Sequence, residues 1–226
     1  MLRNWLLTGL VFAFCGFGTV TWAYEVVPVR GGVTVSGEVA LIGKLPPPKL
    51  FAVQKSPEIC GFQRTLAKVK SLDGKLQEVV IALEGVEKGK AFPHRSDKDS
   101  GIGQGIFGYA GGQNLNLKVD LKKCSFGPFV GVIKPNESVS FINKDPVRHT
   151  LHSYVLKGHA VQIMKTLYAQ SLRPEKKVVK AFSSKKLGQA QAVILTCDRH
   201  EFMENWLYPV RNPYYAISDE MGRFEI

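Results

Sequence analysis

The sequence predicts an all-β chain folded as a sandwich, and three observations predict it. Leu115, Leu117, Val119 and Leu121 alternate with Asn116, Lys118 and Asp120, the period-two signature of a half-buried strand. Short apolar runs recur at 32–41, 79–83, 130–133, 138–142 and 192–196. Turn signals punctuate them: Leu45-Pro46-Pro47-Pro48, Asp73-Gly74, Lys134-Pro135-Asn136 and Leu187-Gly188. Many short strands with Gly/Pro punctuation favour two packed sheets.

The chain opens with an apolar leader. Arg3 supplies its positive end, Trp5 to Phe17 its apolar stretch, and Thr21-Trp22-Ala23 its small residues at the cleavage-defining positions. Residues 1–23 are therefore expected to be a secretory signal peptide, and Phe14 before Cys15 argues against lipid attachment. Removal would leave an exported chain with no stable membrane insertion, in a compartment that permits disulfides.

Composition narrows the rest. With 226 residues, 22 Gly, 12 Pro, 4 Cys and 45% hydrophobic residues, the chain is neither collagen, disulfide miniprotein nor disordered tail. A single apolar stretch excludes a multi-span membrane protein. Lys+Arg outnumber Asp+Glu by 30 to 19, a net charge of +11 that favours acidic partners. Nucleic acid is not expected, because no basic groove is interleaved with aromatics.

The remaining segments read more plainly. Residues 159–172 fit a strand or a short helix, since Val161, Met164 and Tyr168 share helical spacing. The glycine-rich stretch 101–112 lacks the strand and helix of a phosphate-binding loop and reads as a surface loop. Lys176, Lys177, Lys180, Lys185 and Lys186 read as a solvated sheet edge that could also steer an acidic partner.

Cysteine arithmetic singles out one thiol. Without Cys15 three remain, so one differs from the other two. Cys60 (Pro57-Glu58-Ile59-Cys60-Gly61) and Cys124 (Lys122-Lys123-Cys124-Ser125) lie in polar, turn-like contexts and are candidates for a disulfide. The alternative is two free thiols. Cys197 stands in Thr196-Cys197-Asp198-Arg199-His200-Glu201-Phe202-Met203, just after a strand candidate. Thiol, imidazole and thioether there can converge from a polar turn. A second imidazole is offered by His149, after a strand ending at Asn143.

Two His, one Cys and a weak axial Met are the donor set of a blue-copper electron-transfer site. Sulfur donors favour Cu(I), imidazole accommodates Cu(II), and a rigid β frame keeps the reorganisation between them small. The expected metal ligands are His149, Cys197, His200 and Met203, holding one mononuclear copper. A zinc site would seldom recruit Met. No Ser/His/Asp order, paired carboxylates or H-E-x-x-H motif is present, and five His cannot also furnish a second copper centre, so an enzyme is not expected. A copper-handling module and a metal-free interaction domain remain open alternatives.

The spacing Cys197-x2-His200-x2-Met203, with Asn143 and His149-Thr150-Leu151-His152 upstream, resembles the cupredoxins, with an amicyanin-like metal loop. The resemblance makes His149, rather than His152, the first imidazole. The run from Cys197 through Trp206 and on to Phe224 is similar to periplasmic cupredoxin-like proteins of the methylamine-utilisation type. Many of these carry a carboxypeptidase-regulatory-like β segment, which Gly37-Glu38-Val39 and Cys60 resemble. The resemblance implies a Greek-key β-sandwich over 115–226 with its C-terminal strand, an N-terminal β segment over 24–114, and a periplasmic location. It also implies a one-electron carrier, with the Thr150 backbone donating to the thiolate and Asn143 bracing the loop. His200 would be the exposed electron port, rimmed by Pro128, Phe129 and Phe202. Its partner would be an acidic c-type cytochrome or oxidoreductase.

Overall fold

The computed structural model describes residues 24–92, 117–134, 136–157, 162–188 and 190–226. The expected signal segment 1–23, the glycine-rich stretch 101–112 and Leu115 lie outside the described residues. No helix among the described residues is long and apolar enough to cross a membrane.

Two sheets facing each other form the body of the molecule. Short strands precede them: β1 (Glu25–Val26), β2 (Ser36–Glu38), β3 (Lys49–Ala52), β4 (Gln63–Leu66), β5 (Lys70–Leu72), β6 (Lys75–Gln77), β7 (Val80–Ala82) and β8 (Lys88–Gly89). One helical turn, α1 (Pro57–Cys60), joins β3 to β4. The sandwich strands follow: β9 (Lys118–Leu121), β10 (Phe126–Gly127), β11 (Val130–Ile133), β12 (Ser138–Asn143), β13 (His149–Lys157), β14 (Gln162–Leu172), β15 (Lys177–Ala181), β16 (Ala192–Cys197) and β17 (His200–Pro209), with a second turn, α2 (Ser184–Leu187), before β16. Two more, β18 (Tyr215–Ile217) and β19 (Arg223–Glu225), complete the described strands.

One sheet runs β10-β9-β12-β15 and the other β11-β17-β16-β13-β14. The central strands β12 and β13 bury alternate residues. In β12, Val139, Phe141 and Asn143 point inward, and in β13, His149, Leu151, Ser153 and Val155 do. Val139, Phe141, Leu151 and Val155 meet Val119 and Leu121 of β9, Val193 and Leu195 of β16, and Leu207 of β17 in one apolar cluster. Full burial of each such aliphatic side chain is worth roughly 1.5–3 kcal/mol.

The segment 162–172, ambiguous in the sequence, is strand. Its pairing with β13 from His149↔Leu172 to Lys157↔Gln162, with two irregularities, decides the matter; long-range hydrogen bonds override the local helical spacing. The lysine cluster does not merely lie between strands: Lys177 and Lys180 belong to β15 itself, an edge strand of its sheet. Charge there blocks further strand addition.

Strands on either side of residue 114 pair with one another. β18 pairs with β7, and β19 with β2, both antiparallel. A second small core of Val132, Val210, Tyr215 and Ile217 packs with Val80, Ala82 and Phe92 across that boundary.

Candidate metal centre

A tight hairpin creates the first pair of donors. Asp198 and Arg199 turn the chain between β16 and β17, so Cys197 and His200 face each other as cross-strand partners. The Cys197 Sγ lies 3.6 Å from His200 Nδ1. A register shift between Thr196 and Cys197 interrupts the ladder just there. Such bulges re-aim side chains beside functional sites, and here Phe202 and Met203 are both buried although adjacent.

The third donor comes from β13. Leu151 pairs with Cys197, so His149, two residues before Leu151, shares the inner face with the thiol. Its Nδ1 stands 3.7 Å from Cys197 Sγ and 3.1 Å from His200 Nδ1. Strand parity explains why His149 takes this place and His152 does not. Three positions apart, the two face opposite sides, and His152 lies on the outer face bonded to Asp198 and Thr166.

The surroundings fix how each imidazole presents itself. Asp145 Oδ2 accepts from His149 Nε2 at 2.9 Å, which leaves His149 Nδ1 as a bare acceptor toward the cluster. The His200 ring donates to the Lys55 backbone. Since Nδ1 is inside the cluster, the donor is the outer nitrogen, and His200 Nδ1 is also left as an acceptor. Two lone pairs 3.1 Å apart with a thiol beside them repel unless a cation or proton lies between. Edges of 3.1, 3.6 and 3.7 Å are what two nitrogens and one sulfur span when held about 2.0–2.3 Å from a common centre. The donors therefore fit a metal ion, and their softness fits copper.

Met203 lies three residues beyond His200 on β17 and is buried in the cluster that contains Cys197 and Phe202. The Thr150 N–H donates to Cys197 Sγ at 3.4 Å. Asn143 spans the connection from β12 to β13. Its side-chain amide donates to the carbonyls of Val147 and Leu172, and its Oδ1 accepts from the Asp145 N–H. A second group of donors, Cys124, Asp145 and His149, also lies close together. Cys124 is bonded to Cys60, so it offers no thiolate.

Asp145 was not legible from sequence as part of the site. Its carboxylate sits in a backbone cradle, accepting the N–H of Lys123 at 2.6 Å and of Cys124 at 2.8 Å. Both of those residues adopt left-handed φ values, 53° and 50°, which turn their N–H groups toward the anion. The available signal was an acidic residue four positions before the imidazole, in the turn Asn143-Lys144-Asp145-Pro146.

Burial keeps all three donors neutral. It lowers the His149 pKa below the ordinary imidazole value, against the pull of Asp145. It lowers His200 to about 4, assisted by the nearby His149. It raises the Cys197 thiol, opposed by backbone donors at Thr150, Arg199 and His200.

Two expectations are corrected. His200 is not an exposed port: its residue is 2% exposed. The N-terminal segment covers it, with Cys60 Sγ 3.6 Å from His200 Nε2 and the Phe51 ring against Phe202, which itself packs against the His200 ring. Phe202 accordingly is core rather than rim, and Pro128 and Phe129 are only half-exposed. The cover is fastened by the Cys60–Cys124 disulfide and by Arg64, which donates to the carbonyls of Cys60 and Lys123 and to Ser125 Oγ.

No family model matches the chain, and no curated protein matches it. Among solved structures, part of the chain is similar to a reduced Cu(I) form, at pH 4, of a point mutant of amicyanin, at 17% identity. That match covers 47% of this chain and 95% of that one, with a TM-score of 0.33. A purple cupredoxin from Nitrosopumilus maritimus matches at 12% identity over 42% of this chain and all (100%) of that one, TM-score 0.33. A copper-containing nitrite reductase from Thermus scotoductus SA-01 matches at 19% identity over 43% of this chain, TM-score 0.33. The chain covers only 23% of that enzyme.

Proposed function

We propose that this protein is a periplasmic type 1 copper protein that carries one electron at a time between redox partners. The observation that carries the reading is the convergence of His149 Nδ1, His200 Nδ1 and Cys197 Sγ, with both imidazoles held as acceptors by partners behind them. Bound copper would supply one-electron chemistry between Cu(I) and Cu(II). The protein's part is to hold the donors still. The β16–β17 hairpin sets Cys197 against His200, Asp145 and Lys55 fix the two rings, and the Thr150 N–H stabilises negative charge on sulfur. Met203, buried in the same cluster as Cys197, would be the fourth, weak donor.

Complete enclosure of the donors favours a carrier over a copper-delivery module, which must let its cargo go. We assign no catalytic reaction to the chain. An acidic electron-transfer protein is the partner class that its net charge of +11 suits. Adding Cu(II) to the metal-free protein is expected to produce an intense thiolate-to-copper band in visible light, absent from Cys197→Ser. A colourless copper complex would overturn the reading. Rapid loss of copper to a chelator in both oxidation states would instead favour delivery.

A further inference from the structure

Covering of the His200 edge leaves the electron without the exit that an exposed imidazole would provide, and the cover itself points to another. The Cys60 sulfur lies 3.6 Å from His200 Nε2, and the Lys55 backbone takes the ring's hydrogen bond. Both contacts belong to one short stretch, residues 55–60, that leads straight to the surface. Around the buried Cys60, its neighbours are unusually exposed for their type: Ile59 at 44% and Phe62 at 77%, with Leu50 of the adjoining hairpin at 60%. Gly61, with φ of 86°, reverses the chain after α1 and throws Phe62 outward. Lys49, Lys55, Lys122 and Lys123 are exposed on these segments, together with the acid Glu58, while Asp145 behind Lys123 is buried. The two lysine turns belong to one surface, because the Cys60–Cys124 disulfide and the Arg64 bonds to Cys60 and Lys123 tie them together.

We propose that this α1 face, centred on Ile59 and Phe62 and ringed by lysines, is the docking surface for an acidic electron-transfer protein, and that the electron leaves through the 55–62 segment. An apolar centre with a charged rim is the anatomy of a transient protein interface. The basic rim selects a partner of opposite charge. One electron leaves the copper site and reduces the partner's oxidised centre; no bond forms or breaks and no proton moves. The disulfide stays oxidised throughout and serves as the bridge between His200 and the surface. The redox half of this proposal rests on the copper reading, and the docking half does not.

The test uses the isotope-labelled full chain, metal-free, titrated with a c-type cytochrome of net negative charge and followed by amide chemical shifts. At low salt, shifts are expected to cluster at residues 55–62 and 122–124. Lys55→Glu with Lys122→Glu should weaken binding by about tenfold or more. Lys185→Glu with Lys186→Glu, the same charge change on α2 at the opposite pole, should alter it by about twofold or less. Absence of binding at low salt, shifts centred elsewhere, or equal losses from both double variants would overturn the proposal. So would self-association through this face that Phe62→Ser abolishes. In a second arm, copper-loaded Phe62→Ser should keep its visible band yet reduce the cytochrome roughly tenfold more slowly than the parent; an unchanged rate would overturn the exit route. If the parent shows no visible band while the shifts still cluster at α1, the copper reading falls and the docking surface stands.

Discussion

Asp145 accepts the Nε2 proton of His149 at 2.9 Å from a cradle made by the backbone N–H groups of Lys123 and Cys124. The carboxylate thus connects the disulfide-bearing turn to an imidazole of the candidate metal centre. Replacing it changes the tautomer and orientation of the ring without touching the donor atoms. Asp145→Asn is expected to weaken copper binding by roughly 10- to 100-fold, the usual cost of losing such a supporting contact. Competitive titration against a chelator of known affinity measures it, and unchanged affinity would show that His149 is held by packing alone.

The disulfide closes a sequence separation of 64 residues. In the chain-entropy view, a loop of that size contributes about 4 kcal/mol at most. The double variant Cys60→Ala with Cys124→Ala should therefore lose up to about 4 kcal/mol in denaturant unfolding. Because the cover over His200 is no longer fastened, copper in this variant should also exchange faster with a chelator. Loss of stability without faster exchange would mean that Arg64 and the Phe51–Phe202 contact suffice to hold the cover.

The depressed pKa values of His149 and His200 make acid destabilising to the metal-free protein. In the unfolded chain these imidazoles take up protons near pH 6.5, whereas folded His200 resists until about pH 4. Between those values the unfolded state binds more protons, so stability rises with pH and is lost progressively as pH falls from about 6.5 towards 4. Thermal unfolding of metal-free protein across that range should show the decline. Copper-loaded protein should resist it over the upper part of the window, because the metal occupies the nitrogens that would be protonated.

The raised Cys197 pKa has a stoichiometric consequence. Both imidazoles are neutral near pH 7 and the thiol is protonated, so metal entry must release the thiol proton alone. Calorimetric Cu(II) titrations in two buffers of different ionisation enthalpy should report about one proton released per metal. A value near zero would place the bound metal elsewhere than on Cys197.

Much of the donor set could be read from the primary structure because it is local. Cys197, His200 and Met203 fall within one hairpin, and the apolar run at 138–142 announces the strand that ends at Asn143, whereas the strand His149–Lys157 that carries the first imidazole was not marked by a run of its own. The resemblance selects His149 over His152, and strand parity in the structure supplies the physical reason. The cover was illegible for the opposite reason. Cys60 reaches His200 across 140 positions, and nothing in the composition of 49–66 says which part of the body that hairpin lies on. Burial of His200 therefore could not follow from its own neighbours in the chain. Asp145 escaped similarly, since an Asp before Pro146 looks like ordinary turn chemistry until the cradle at Lys123 and Cys124 is seen behind it. The strand nature of 162–172 depended on β13 as a template, whereas its local spacing also suited a helix.

The pairing of β18 with β7 and of β19 with β2 bears on how the molecule is made. During synthesis the ribosome delivers Ser36–Glu38 and Val80–Ala82 long before Tyr215–Ile217 and Arg223–Glu225 exist. Those early segments must wait, edges bare, until their late partners arrive. Pairing in this region is thus complete only after Arg223–Glu225 has been made, and a chain stalled before Tyr215 would leave β2 and β7 without these partners.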